Sequence, residues 1–237
     1  MPNIWIFVII IFSSLIKGLT GFGFALVSFP LLLIWYSPKE IIPILMICNL
    51  MASILIILQK KEHKLLDIHS YLLIIFGGIF TIAGVLILSA TDGKTLIHLS
   101  GIFFIAIAIL STKKKKKITL PRYSYLLAGA LIGFLTGAIS VSGPPLALFL
   151  NRANISNRQF REIFAWFSVI TATIAIFSYS QLGLLTKETL TTSLIFLPIL
   201  LTGTIIGKKL NSKMSVSSFQ SINIVLTLIS SILLIII

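Results

Sequence analysis

Long apolar runs, separated by short polar or glycine-containing stretches, fill almost the whole chain. They lie at about 3–17, 22–36, 41–59, 68–89, 95–112, 123–137, 144–151, 162–181, 189–207 and 216–237. Crossing the hydrocarbon of a bilayer takes roughly 20 apolar residues. Six runs approach that length: 41–59, 68–89, 95–112, 162–181, 189–207 and 216–237. The other four are too short, because a helix of about 15 residues covers only about 22 Å of a core about 30 Å thick. These four form two adjacent pairs, 3–17 with 22–36 and 123–137 with 144–151, each broken by a glycine-rich stretch. Each pair is predicted to fold as a broken, re-entrant helical hairpin. The fold class expected is an all-α polytopic membrane protein.

Composition narrows this further. Of 237 residues, 57% are hydrophobic and 11% charged, whereas soluble domains are about one quarter charged. A soluble enzyme, a disordered chain and a disulfide scaffold are excluded, the last because Cys48 is the single cysteine. The first apolar run has no basic segment ahead of it and no small-x-small cleavage pattern, so it is expected to stay as the first membrane element.

The formal charge of +13 would suggest nucleic acid in a soluble protein. Here topology accounts for it, because Lys and Arg mark cytoplasmic loops. Loops 59–67, 111–122, 150–161 and 207–215 hold fifteen of the 19 basic residues. Three other loops are balanced: Lys39 with Glu40, Lys94 with Asp92, and Lys187 with Glu188. With the basic loops inside, the six long runs alternate without conflict. Run 123–151 must then start and return inside, the first pair must start and return outside, and both termini fall outside. The expected location is a bacterial inner membrane, with lipid and a small anionic solute as partners and no nucleic acid. Whether copies associate into a homo-oligomer is left open.

Each half thus reads hairpin, span, span, span, in opposite orientations, which is the pattern of inverted repeats. The first repeat is placed at 1–112, a basic linker at 113–122 and the second repeat at 123–237. Thr20-Gly21 matches Thr136-Gly137, each break is followed by proline (Pro30; Pro144-Pro145), and Asn49 falls opposite Ser168. Gly129, Gly133 and Gly137 repeat at four-residue spacing, as do Gly203 and Gly207, a spacing that lets helices approach closely in lipid.

Little catalytic chemistry is available. The acidic residues Glu40, Glu62, Asp67, Asp92, Glu162 and Glu188 are read in loops or at span ends, and His63, His69 and His98 are scattered. No metal site, cofactor, catalytic residue or enzyme motif is expected. The two breaks, 17–23 (KGLTGFG) and 136–145 (TGAISVSGPP), are different. A helix starts at each tip, and a helix start presents free N–H groups and about half a positive charge. Two such starts meeting in a low-dielectric cavity make an anion site. Pro145 suits a first helical position. Lys17 is the one basic residue expected deep in lipid, where it either serves the substrate or snorkels to water. Asn49 either faces the same cavity or bonds a neighbouring helix. The substrate-binding set expected is Lys17, Thr20, Gly21, Gly23, Asn49, Thr136, Gly137, Ser140, Ser142, Gly143 and Pro144. The arginines Arg152, Arg158 and Arg161 follow the second hairpin on the inner side and are read as topogenic loop charges, the alternative being that they attract anions into an inner vestibule.

The stretch GLTGFGFALVSFPLLL (18–33) resembles the first glycine-rich motif of the sulfite exporter TauE/SafE family, also called the toluene sulfonate uptake permease family. GFLTGAISVSGPPLALFL (133–150), followed by FRE at 160–162, resembles the second. The likeness extends over nearly the whole chain. It implies inner-membrane transport of a small anion, often sulfite or a sulfonate. The second motif departs from the usual pattern, since Ser140, Val141 and Ser142 separate Gly137 from Gly143. The function expected is a secondary transporter working by alternating access. The alternatives are a non-transporting membrane scaffold or assembly subunit, and a transporter of a non-sulfur solute.

Overall fold

The computed structural model describes residues 3–58, 66–112, 120–153, 155, 157–211, 229 and 232. Among them the chain is all helical, with no strand. Nine helices follow in order: α1 (Ile4–Thr20), α2 (Phe24–Leu32), α3 (Pro38–Leu58), α4 (Ile68–Ala90), α5 (Gly93–Thr112), α6 (Arg122–Ile139), α7 (Gly143–Arg152), α8 (Asn157–Gln181) and α9 (Lys187–Asn211). Apart from residues 229 and 232, the predicted last span, 216–237, lies outside the described residues, as do most of the basic loops at 59–67 and 111–122 and positions 212–215 of the loop at 207–215.

Local sequence sets the helix starts. Ser37-Pro38-Lys39-Glu40 is a capping box: Glu40 Oε2 accepts from the Ser37 N–H and hydroxyl, both at 2.8 Å, and Pro38 occupies the first helical position. Asp67 caps α4 by accepting from the Ser70 N–H at 2.9 Å. Asp92 accepts from the Thr95 N–H at 2.9 Å and does the same for α5.

Among the described residues five helices are long and apolar enough to cross a membrane: α3, α4, α6, α8 and α9. The presence of α6 differs from expectation. Gly137 does not end it, because that glycine packs inside the helix against α4. The break comes only at Ser140, which takes a left-handed conformation (φ 57°). Its 18 residues therefore reach about 27 Å.

Glycines decide how the helices pair. A Cβ on Gly129 would meet the Leu73 backbone, one on Gly133 the Gly77 backbone (Cα at 2.6 Å), and one on Gly137 the Thr81 carbonyl and Val85 nitrogen (2.9 Å). Matching four-residue steps on both helices mean that α6 runs parallel to α4 in backbone contact. Likewise α1 runs parallel to α9, with Ser14 against Gly203 and Gly18 against Gly207. Such contact is how helices gain dispersion energy where lipid removes the hydrophobic drive. Around these pairs, α3 packs on α8 and α9, and α4 packs on α8.

Both short pairs are hairpins. Asn3, which caps α1, and Ile6 share a cavity with Trp35 and Tyr36, just beyond α2. Tyr125 near the start of α6 meets Phe149 near the end of α7, with ring centroids 5.0 Å apart. In each case the second arm returns to the level where the first began.

Candidate functional site

The first tip is made by two left-handed glycines around one phenylalanine. Gly21 (φ 83°) ends α1 and donates its N–H to the Lys17 carbonyl at 2.7 Å; Gly23 (φ 102°) precedes α2. A side chain at either position would strain the backbone. Thr20 ties the turn together. Its hydroxyl lies against the Ile16 carbonyl (2.8 Å) and the Phe22 carbonyl, and accepts from the Phe22 N–H (3.2 Å).

The second tip uses Ser140 where the first uses glycine. Its N–H donates to the Thr136 carbonyl at 2.9 Å. Ser142 precedes α7 without a side-chain cap bond, and Pro144 and Pro145 occupy the first turn of that helix. Proline there removes donors that the helix could not use internally. It also leaves α7 with fewer N–H groups for a ligand than α2.

The two tips touch. Phe22, Gly23, Asn49, Ser140, Ser142, Gly143 and Pro144 line one cavity together with Phe164. Its volume is about 10 Å³, about the space of one water. A Cβ on Gly143 would lie 2.8 Å from Phe22 Cγ and closer still to Cδ2. The Phe22 ring is wedged between Phe160 and Phe164, at centroid distances of 5.9 and 5.5 Å.

Lys17 reaches this cavity through Asn49. Its side chain is fully buried and its Nζ donates to Asn49 Oδ1. Side chains on a helix lean toward its N-terminus, so the ammonium points back along α1, away from the tip, to the middle of α3. Ser13 and Ser53 stand one helical turn from Lys17 and Asn49 on the same faces. Both hydroxyls are buried and lack a partner among the described residues, as does that of Ser168. The polar strip is thus under-satisfied, which is costly in an apolar interior.

The remaining expected residues sit elsewhere. Thr20 is spent on the turn, and Thr136 donates to the Ile132 carbonyl at 2.6 Å. Gly137 packs on α4, and its carbonyl accepts from the Tyr179 hydroxyl at 2.7 Å. Gly21 faces Arg161. The first tip reaches the last turns of α9, at Gly207, and the first turns of α8, at Phe160 and Phe164.

Phe22 and Phe164 close the cavity. Phe22 lies within the first break that the sequence marks, whereas nothing in its spacing marks Phe164 among 17 phenylalanines. Arg161 and Glu162 were read at a loop end, but α8 begins at Asn157, so both are helical; Arg161 is half-buried and Glu162 is 1% exposed. Among the described residues no three His, Cys, Asp or Glu side chains gather to hold a metal.

No curated protein and no solved structure matches the chain. The family model described as sulfite exporter TauE/SafE matches residues 6–234, which spans both hairpins and the helices between and after them. With two glycine-broken hairpins meeting inside a bundle of membrane-length helices, the chain belongs to the sulfite exporter TauE/SafE family.

Proposed function

We propose that the chain is a secondary transporter that moves a small oxyanion, sulfite or a sulfonate, through the cavity between the hairpin tips. The coarser statement follows from the family: this is a multi-pass membrane protein of a transporter family. The observation behind the finer one is Lys17, fully buried and bonded to Asn49, where both tips line one cavity. A buried ammonium in a membrane helix is costly and is retained for function by default. The first turn of α2, the Gly143 N–H and the Ser140 and Ser142 hydroxyls are the other donors proposed to face the anion.

In this reading the tip contact is the closed state. An oxyanion does not fit in about 10 Å³, so the tips part to admit it from one side or the other. Inverted repeats supply the hinge. The helix pairings come in matched sets that support such symmetry: α1 on α9 with α6 on α4, and α3 on α9 with α8 on α4. The hairpins are re-entrant, the basic loops cytoplasmic and both termini outside. An inside-negative potential favours outward movement of an anion by about 2.3 kcal/mol per charge per 100 mV, so export is the proposed direction. Packed tips are also what a non-transporting scaffold would show, and flux separates the two.

The test is anion flux in proteoliposomes with sulfite, thiosulfate, sulfate and methanesulfonate, comparing the native chain with Lys17→Gln. Saturable flux of a sulfur anion, lost in the variant, is expected. Flux untouched by Lys17→Gln removes the role of Lys17. No flux of any of these anions from folded protein overturns the transport reading for them.

A further inference from the structure

A second cavity lies behind the first tip, at the end of the bundle that carries the basic loops. Gly18 and Gly21 of the tip, Ile56 of α3, Arg161 of α8, and Thr204 and Lys208 of α9 line it. None of these residues lines the cavity between the tips. Two half-buried cations from different helices therefore converge on one space. Glu162, the adjacent carboxylate in the chain, is not in its wall.

Thr204 points to a ligand independently. Hydroxyls in these helices ordinarily donate to a carbonyl one turn back. Thr202 does so to Pro198 at 2.9 Å and Ser193 to Thr189 at 2.7 Å on the same helix. Thr204 is 2% exposed and its Oγ1 has no partner among the described residues. An unpaired buried hydroxyl is costly, and this one sits in the wall that holds the cations. Arg161 meanwhile donates from Nη2 to the Leu19 carbonyl at 3.3 Å. That contact links α8 to the C-terminal end of α1, where a cation suits the exposed carbonyls.

We infer that Arg161, Lys208 and Thr204 form a second anion site, for a small oxyanion such as a sulfonate or sulfite group, at the basic end of the first hairpin. The guanidinium offers a fork of donors for two oxygens, Lys208 a point charge, and Thr204 a hydroxyl. The cavity holds about 30 Å³, about two to three times the space one water needs, so it takes the oxygens of an anion that enters from the basic end. Binding engages the arginine that holds the Leu19 carbonyl, so the anion loads beside the tip it must open. That loading role rests on the transport reading; the affinity for anions does not.

The test is therefore independent of flux. In a Cys48→Ser background, Thr204→Cys is labelled in the reconstituted chain with two thiol reagents of similar size. One is anionic (sulfonatoethyl methanethiosulfonate) and the other cationic (the trimethylammonium analogue). Attraction by two nearby cations should make the anionic reagent about tenfold faster or more. Arg161→Gln/Lys208→Gln should bring the ratio near one, and methanesulfonate should slow labelling of the native pair. Ile56→Cys, on another wall, repeats the measurement should the threonine variant fail to fold. Equal rates with both reagents, no labelling by either, or a ratio unmoved by the double substitution overturns the site. Absence of flux in the earlier assay would leave these labelling results intact.

Discussion

Gly143→Ala is the sharpest probe of the tip contact. Gly143 does not have a positive φ, so alanine fits the backbone and the effect is steric. The new Cβ would lie 2.8 Å from Phe22 Cγ and 3.0 Å from Phe22 Cβ. Carbon atoms settle at about 3.5–4.0 Å, so one side must yield by at least about 0.7 Å. These are atoms at the base of the ring, and the ring is 1% exposed between Phe160 and Phe164. Overpacking of this kind costs about 1–3 kcal/mol, a factor of about five to 140 in the closed-state equilibrium. Replacing glycine returns about 0.4–1 kcal/mol through the unfolded chain, so the single variant alone is not decisive. The double-mutant cycle with Phe22→Ala is. That truncation costs about 3–5 kcal/mol on its own but vacates the space the alanine needs. The pair should be less destabilised than the sum by about 1–3 kcal/mol. Unfolding of the full chain in mixed micelles reads stability, and proteoliposome flux reads the closed state. Additivity within about 0.5 kcal/mol would refute the contact between the tips.

Three further outcomes are expected. Asn49→Leu strands the Lys17 ammonium and should cost about 2–3 kcal/mol, whereas Lys17→Met/Asn49→Leu should recover stability and stay silent in flux; equal unfolding of single and double variants would contradict the pairing. Gly133→Ala pushes into the Gly77 backbone (Cα at 2.6 Å) and should cost about 1–3 kcal/mol, while Gly183→Asn, at φ 70° with open space around it, should be near neutral because Asn tolerates that conformation; the same unfolding titration ranks them. The Thr95 N–H, donating to Asp92 at 2.9 Å, holds that exposed carboxyl below its usual range. With a depressed folded value, its stabilisation is present above the unfolded pKa of about 3.9 and is lost as pH falls through the folded one. Asp92→Asn keeps a capping side chain, so it should only flatten the acid limb of a Tm-versus-pH curve; an unchanged limb would count against the cap's titration.

Much of the architecture was legible in the chain because lipid leaves few choices. Backbone polar groups must be satisfied within each segment, so apolar run length translates directly into helices, and α3, α4, α8 and α9 begin and end within a few residues of the runs that predicted them. The breaks were legible for the same reason, since Gly21-Phe22-Gly23 and Ser142 to Pro145 cannot continue a helix. Lys17 stood out because a lone cation in an apolar run has no bland explanation as strong as in water.

What the sequence could not specify was decided by packing. Whether Gly137 ends a helix or lies inside one depends on whether another backbone comes close enough to need it, and α4 does. Whether a threonine serves a ligand depends on its nearest carbonyl. Thr20 and Thr136 are spent within their own turns, while Thr204, which nothing in the chain distinguishes, has no partner among the described residues and lies beside two cations. In the sequence Arg161 is one of three arginines that either mark topology or draw in anions; the early start of α8 half-buries it against the Leu19 carbonyl and sets it apart from Arg152. Run length and charge placement are one-dimensional quantities, so the sequence by itself determined a helical membrane protein with two broken hairpins. Which side chains share a cavity is a matter of distances between helices far apart in the chain, and only the tertiary structure sets those.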